Sequence, residues 1–167
     1  MRRALILIGF CGWLISCGNN QMTKIERKGE PTIYSTSGDD QEMNEAIRTA
    51  RRTLEQFTAA LESNRYDTSK FALKVRFKTA TGAEHIWASS ITYKDGSYSG
   101  LVDNLPNLAT QVRLGEKYRI RTEDISDWMY VDNGILRGGY TIKLLRSRMS
   151  QEDKVKFDAE FPAKIED

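Results

Sequence analysis

Hydrophobic and polar residues change period several times along this 167-residue chain, and each change predicts an element. From Asp39 onward, Met43, Ala46, Ile47, Ala50, Leu54, Phe57 and Leu61 recur at steps of three and four, with Glu42, Glu45, Arg48, Arg51, Arg52 and Glu55 mostly on the other faces. That spacing predicts one long amphipathic helix ending near Ser63-Asn64, its first amides capped by Ser37, Asp39 or Asp40. At Lys70 the period becomes two. Phe71, Leu73, Val75 and Phe77 alternate with Ala72, Lys74, Arg76 and Lys78, as in a strand with one buried and one wet face. Glu84 to Tyr93 and Ser97 to Asp103 follow as two further strands joined at the turn signal Asp95-Gly96, completing an antiparallel meander.

Asn104-Leu105-Pro106-Asn107 ends that meander, because proline lacks an amide donor and restricts the residue before it. Lys117 to Thr122 reads as a fourth strand and Ile125 to Val131 as a fifth, closed by Asp132-Asn133-Gly134. Beyond Gly138-Gly139, Ile142, Leu145 and Met149 share a helical face, whereas Tyr140, Ile142 and Leu144 equally suit a strand. Ser150 with Asp153 resembles a capping pair that opens a short helix to about Glu160. The expected architecture is α+β: an antiparallel sheet of four or five strands covered by the long helix, with a short C-terminal helix. This single domain spans 39–162, leaving 163–167 as a tail.

The first 38 residues have a different character. Arg2 and Arg3 precede an apolar run from Ala4 to Ile15, followed by Ser16 and Cys17. The run is about 12 residues, short of the roughly 20 that a membrane span needs. The order basic, apolar, small is that of an export signal, and Leu14-Ile15-Ser16-Cys17 resembles the lipobox of bacterial lipoproteins. The resemblance implies cleavage after residue 16 and a diacylglycerol or palmitate-type anchor on Cys17, making membrane the first expected partner. Gly18 to Gly38, rich in polar and turn residues, reads as a flexible tether. Gly18, not an aspartate, after the lipid site implies an outer membrane facing the periplasm if the source has two membranes.

Composition changes this picture little. The chain has 25 basic and 23 acidic side chains, and cleavage removes Arg2 and Arg3, leaving a near-neutral domain. Nothing here favours nucleic acid. Cys11 lies in the discarded run and His85 is the only histidine, so neither a disulfide nor a metal cluster has enough ligands and no cofactor is expected.

The unusual residues gather in Glu84-His85-Ile86-Trp87 and Ile125-Ser126-Asp127-Trp128-Met129-Tyr130. Together with Lys74, Gly100 to Pro106, Gly115 and Gly138-Gly139-Tyr140-Thr141, they resemble the YegJ-like domain of unknown function found in bacterial lipoproteins and small exported proteins. The resemblance covers roughly Asp40 to Asp153 and implies one compact domain; it carries no established activity.

Two kinds of chemistry are open to these residues. His85 could act as a general base oriented by Asp127, with Ser89, Ser90 or Ser126 as nucleophile, although no Gly-x-Ser-x-Gly elbow is present. Glu84 and Asp127 could do acid–base work on a glycan if their carboxyls lie about 5 to 10 Å apart. An envelope hydrolase or transferase is therefore the alternative class. Gly138-Gly139 could cradle a phosphate or simply allow a close backbone approach.

The leading expectation is a non-enzymatic binding module, immunity-type in one version. Trp87 and Trp128 could form a recognition surface, with Lys74, Arg76, Asn104 and Arg119 as accompanying binding residues. Ile86 and Trp87 are adjacent and so face opposite sides of a strand, leaving open which one enters the core. Lys74, Arg76 and Lys78 with Lys117, Arg119 and Arg121 would collect cations on one sheet face, suited to anionic headgroups, cell-wall carboxylates or an acidic protein.

Overall fold

A computed structural model describes Thr23–Arg27, Glu30–Ser35, Gly38 and Asp40–Glu166; Cys17 and the export signal lie outside the described residues. Thr23–Arg27 (β1) and Glu30–Ser35 (β2) pair as an antiparallel hairpin within the stretch read as tether. The expected long helix is two helices, Gln41–Arg52 (α1) and Leu54–Glu62 (α2), interrupted at Thr53. Asp40 is the cap, accepting from the Met43 amide at 3.0 Å.

The interruption has a local cause. The Trp128 indole N–H donates to the Ala50 carbonyl at 2.9 Å and to Thr53 Oγ1 at 3.2 Å, while the Thr53 hydroxyl donates back to the Thr49 carbonyl. Trp128 thus takes helix groups that the next turn would use. The apolar stripe keeps its phase across the break: Ala50, Leu54, Phe57 and Leu61 are all buried.

Six strands, not four or five, form the main sheet. They are Ala72–Thr79 (β3), Gly82–Lys94 (β4), Ser97–Val102 (β5), Lys117–Ile120 (β6), Ile125–Asp132 (β7) and Ile135–Gly138 (β8). Their order is β6-β5-β4-β3-β7-β8, and each neighbouring pair is antiparallel. Sequence periodicity missed β8 because it is only four residues long and starts at the Asp132-Asn133-Gly134 turn. Tyr140–Ser147 (α3) settles the ambiguous segment as helix, and Gln151–Glu160 (α4) starts at the Ser150 cap, which accepts from the Asp153 amide.

The sheet is strongly curled. Five steps from Ile120 to Ile125 reach at most about 18 Å, whereas four strand spacings across a flat sheet would need about 19 Å. Part of the link is a 3₁₀ turn, Thr122–Asp124, which shortens it further. Curling also brings Phe77 of β3 against Tyr118 of β6, with ring centroids 5.1 Å apart. The inner face carries Leu73, Val75, Phe77, Ile86, Ala88, Ile120 and Trp128 against α1 and α2. The outer face is partly covered by a smaller cluster of Leu136, Ile142 and Ile165, joined by Trp87, Met129 and Phe161. Within 163–167, read as a tail, the described residues contribute to this cover: Ile165 is buried and Lys164 bridges to Ile135.

Candidate functional site

Cross-strand register decides what shares a face. Lys74 is opposite Trp87 and Asp127, and Arg76 is opposite His85, which puts these five on the outer face of the sheet. Glu84 lies opposite Phe77 on the inner side. At the β3–β7 boundary the register shifts, so Ser126 is an extra residue in a bulge between Asp127 and Ile125.

Asp127 is fully buried and its carboxylate is saturated. It accepts from the amides of Trp128 (2.9 Å), Tyr140 (3.1 Å) and Thr141 (2.8 Å) and from Thr141 Oγ1 (2.6 Å). Two of those amides open α3, so Asp127 fills the anion position at that helix N-terminus. This explains Gly138-Gly139. Both have positive φ, and a Cβ at Gly138 would come within 2.4 Å of the Trp128 ring, so the pair allows a close backbone approach. The phosphate-cradle option is taken up by the chain's own carboxylate.

Lys74 completes this arrangement. Its ammonium donates to Thr141 Oγ1 at 3.2 Å and lies 5.5 Å from the centroid of the Trp87 ring. Burial pushes the Lys74 ammonium down and the Asp127 carboxyl up; the attraction between them and the Thr141 hydrogen bonds oppose those shifts. Thr141, buried between the two charges, is a participant that periodicity could not single out.

His85 binds Ser126 through Nδ1 at 2.8 Å. The Ser126 hydroxyl also lies 3.2 Å from the Lys74 carbonyl, and both contacts are hydrogen bonds together when the imidazole proton is on Nδ1 and Ser126 donates to that carbonyl. Burial, with Lys74, Arg76 and Arg51 adding repulsion, lowers the His85 pKa to about 4 and keeps the ring neutral near pH 7. This geometry does not suit a nucleophile and its base: the serine is fully buried, and its hydroxyl is shared between the imidazole and the Lys74 carbonyl. Nor does Asp127 orient His85, because its two oxygens are occupied by the four donors above.

Glu84 has a structural task. Its carboxylate accepts from three consecutive amides, Asn107 (2.8 Å), Leu108 (2.8 Å) and Ala109 (2.7 Å), pinning the loop between β5 and β6. The acid–base pair expected of Glu84 and Asp127 is therefore split between opposite faces. Asn104 also serves this loop, its side-chain oxygen accepting from the Trp87 amide at 3.0 Å. Trp128, expected at a recognition surface, is only 2% exposed and belongs to the core.

What stays available is the rest of the outer face. Trp87 and Arg76 are half-buried, and Arg119 and Lys117 are exposed on β6, where Lys117 lies opposite Leu101. Arg119 donates to Ser97 Oγ at 3.0 Å, whereas Arg76 has no carboxylate partner among the described residues. Arg121 leaves the patch to pair with Asp124 at 2.8 Å. Among the described residues no three acidic, histidine or cysteine side chains converge as a metal site, and no helix is long and apolar enough to cross a membrane.

Comparison with known proteins places this architecture. Residues 40–162 match the family described as an uncharacterized protein conserved in bacteria, DUF2314. The chain belongs to this family. It is 34% identical over 122 residues to the uncharacterized protein YegJ of Escherichia coli K12, covering 73% of this chain and 78% of that one. It is also 37% identical over 140 residues to a putative ankyrin repeat protein, NMB1133/NMB1171, of Neisseria meningitidis serogroup B; there the match covers 78% of this chain and 55% of the relative. No solved structure matches. The matched DUF2314 segment begins at the Asp40 cap and ends at Pro162, so it contains the inner core and most of the outer-face cluster, with Ile165 just beyond it.

Proposed function

We propose that this DUF2314 protein is a non-enzymatic binding module of the bacterial cell envelope, held at a membrane by lipid on Cys17 and presenting the outer face of its sheet to an anionic protein or wall component. One observation carries the binding part. Among the described residues Arg76, half-buried beside His85 and Lys74, has no carboxylate partner, while Asp127 on the same face is saturated by backbone amides and Thr141. A partly desolvated guanidinium of this kind gains from an incoming carboxylate or phosphate. Trp87 and Arg119 extend the face. An immunity-type task, covering an acidic surface of a toxin, is one version of this reading.

The test uses the mature chain with Cys17→Ser as bait in an envelope extract, together with pelleting on purified cell wall. The expected result is one stoichiometric protein partner, or wall binding, weakened about tenfold or more by Arg76→Glu or Arg119→Glu. Retention of full binding by both variants would place recognition elsewhere, and no binding at all would count against the module. The anchor is scored separately: labelled palmitate should appear on the wild type and vanish with Cys17→Ser.

A further inference from the structure

The loop between β5 and β6 shows its apolar residues to solvent. Leu101 at its base is 37% exposed, and Leu105, Leu108 and Leu114 are 46%, 53% and 56% exposed. These are four of the five large hydrophobic side chains classed as exposed among the described residues. Scattered exposed leucines are ordinary; four on one loop and the strand that leads into it are a local concentration along the chain.

The loop is built to hold them out. Ala109 and Val112 are buried as anchors, Glu84 ties three amides inward, and Gln111 donates to the Lys78 carbonyl at 3.0 Å. Its ends are fastened by Gly115 N–H to the Val102 carbonyl and Val102 N–H to the Glu116 carbonyl, at 2.8 and 2.9 Å. Satisfied backbone matters for the choice of occupant. A loop entering an apolar phase must not carry free amides with it, and the three amides from Asn107 to Ala109 are already paired.

We infer that this leucine loop is a second membrane contact, entering the interface of an anionic bilayer and orienting the domain on it. Over residues 101–119 the exposed charges are Arg113, Lys117 and Arg119 against Asp103 and Glu116, a small excess of the sign that anionic headgroups attract. The contact rests on the reading of Cys17 as the lipid site for its tether. From Cys17 to Asp40 the chain is short: Thr23 pairs with Ser35, so the hairpin adds one strand spacing, and eleven extended steps remain. The total reach is about 45 Å, close to the domain's own diameter of about 35 Å. Confinement at that distance turns weak surface affinity into stable docking, because the second contact becomes intramolecular.

Cys17 is the only cysteine of the mature chain, so the tether can be supplied chemically and separated from the question of lipidation. The mature chain is coupled through Cys17 to maleimide lipid in vesicles of phosphatidylethanolamine and phosphatidylglycerol, with and without brominated acyl chains. A reporter tryptophan is placed by Leu108→Trp or, as a control on exposed α4, by Val155→Trp; background from Trp87 and Trp128 is subtracted. The Leu108→Trp reporter should be quenched about twofold or more by bromine and shifted to the blue, the control should not, and adding Leu105→Ser with Leu114→Ser should restore emission. Equal quenching at both positions, or none, would overturn the contact. Shielding without bromine quenching that grows with protein density would assign the loop to a second copy and also overturn it. Failure of palmitate labelling would remove the natural anchor and leave the vesicle result standing.

Discussion

Trp87 and Trp128 lie on the two strands that flank β3, yet they meet different surroundings. Trp128 faces Leu73 on the inner side, gives its indole N–H to the helix at Ala50, and packs among Phe57, Tyr130 and Tyr140. Trp87 faces Lys74 on the outer side, lies half-buried beneath its ammonium, and has its backbone fastened by Asn104 and Asp103. One tryptophan joins layers; the other is held in place at a surface. The same residue type therefore tells little about role until register says which face it joins.

Replacing Trp128 by alanine should break the comparison most severely. It removes a core aromatic and its two helix hydrogen bonds, and should cost about 3–5 kcal/mol in chemical denaturation. Asp127→Ala comes next, at about 3 kcal/mol, because it frees the α3 amides and leaves the enclosed Lys74 without its counter-charge. Retention of parental stability by either variant would refute its place in the frame.

The pH response sharpens the outer-face description. A histidine held near pKa 4 when folded and near 6.5 when unfolded binds more protons in the unfolded state between those values. Stability from keeping it neutral is present above about pH 6.5 and lost as pH falls toward 4, by about 3 kcal/mol. His85→Gln should flatten that slope in melts across this window. Glu84→Gln is smaller, about 1–2 kcal/mol, and should show as faster amide exchange at Asn107, Leu108 and Ala109 while the β3 amides stay protected.

Much of the frame was legible from local pattern. The alternation Phe71, Leu73, Val75, Phe77 is buried as expected, and the stripe Ala50, Leu54, Phe57, Leu61 faces the sheet. The break at Thr53 was invisible because the stripe continues in phase through it; its cause, Trp128, lies 75 residues away along the chain. The hairpin within 23–35 and the short β8 also escaped, since a few residues give too little periodicity to register.

At the candidate site, residue types named a set of neighbours but not how they assemble. Lys74, Arg76, His85, Trp87 and Asp127 do share a face, yet alternation sent Glu84 to the other side and a bulge at Ser126 set the hydrogen-bond partners. The loop leucines carried no period at all. Their exposure follows from anchoring by Glu84, Ala109 and Val112, which only tertiary structure displays.

The most direct test of the division between a structural inner face and a working outer face is Trp87→Ala, with melting and envelope capture measured on the same preparation. The account predicts a stability loss of about 1 kcal/mol, well short of that for Trp128→Ala, together with loss of the captured partner or wall. Undiminished capture with a stability loss matching Trp128→Ala would contradict it and make Trp87 a second core aromatic.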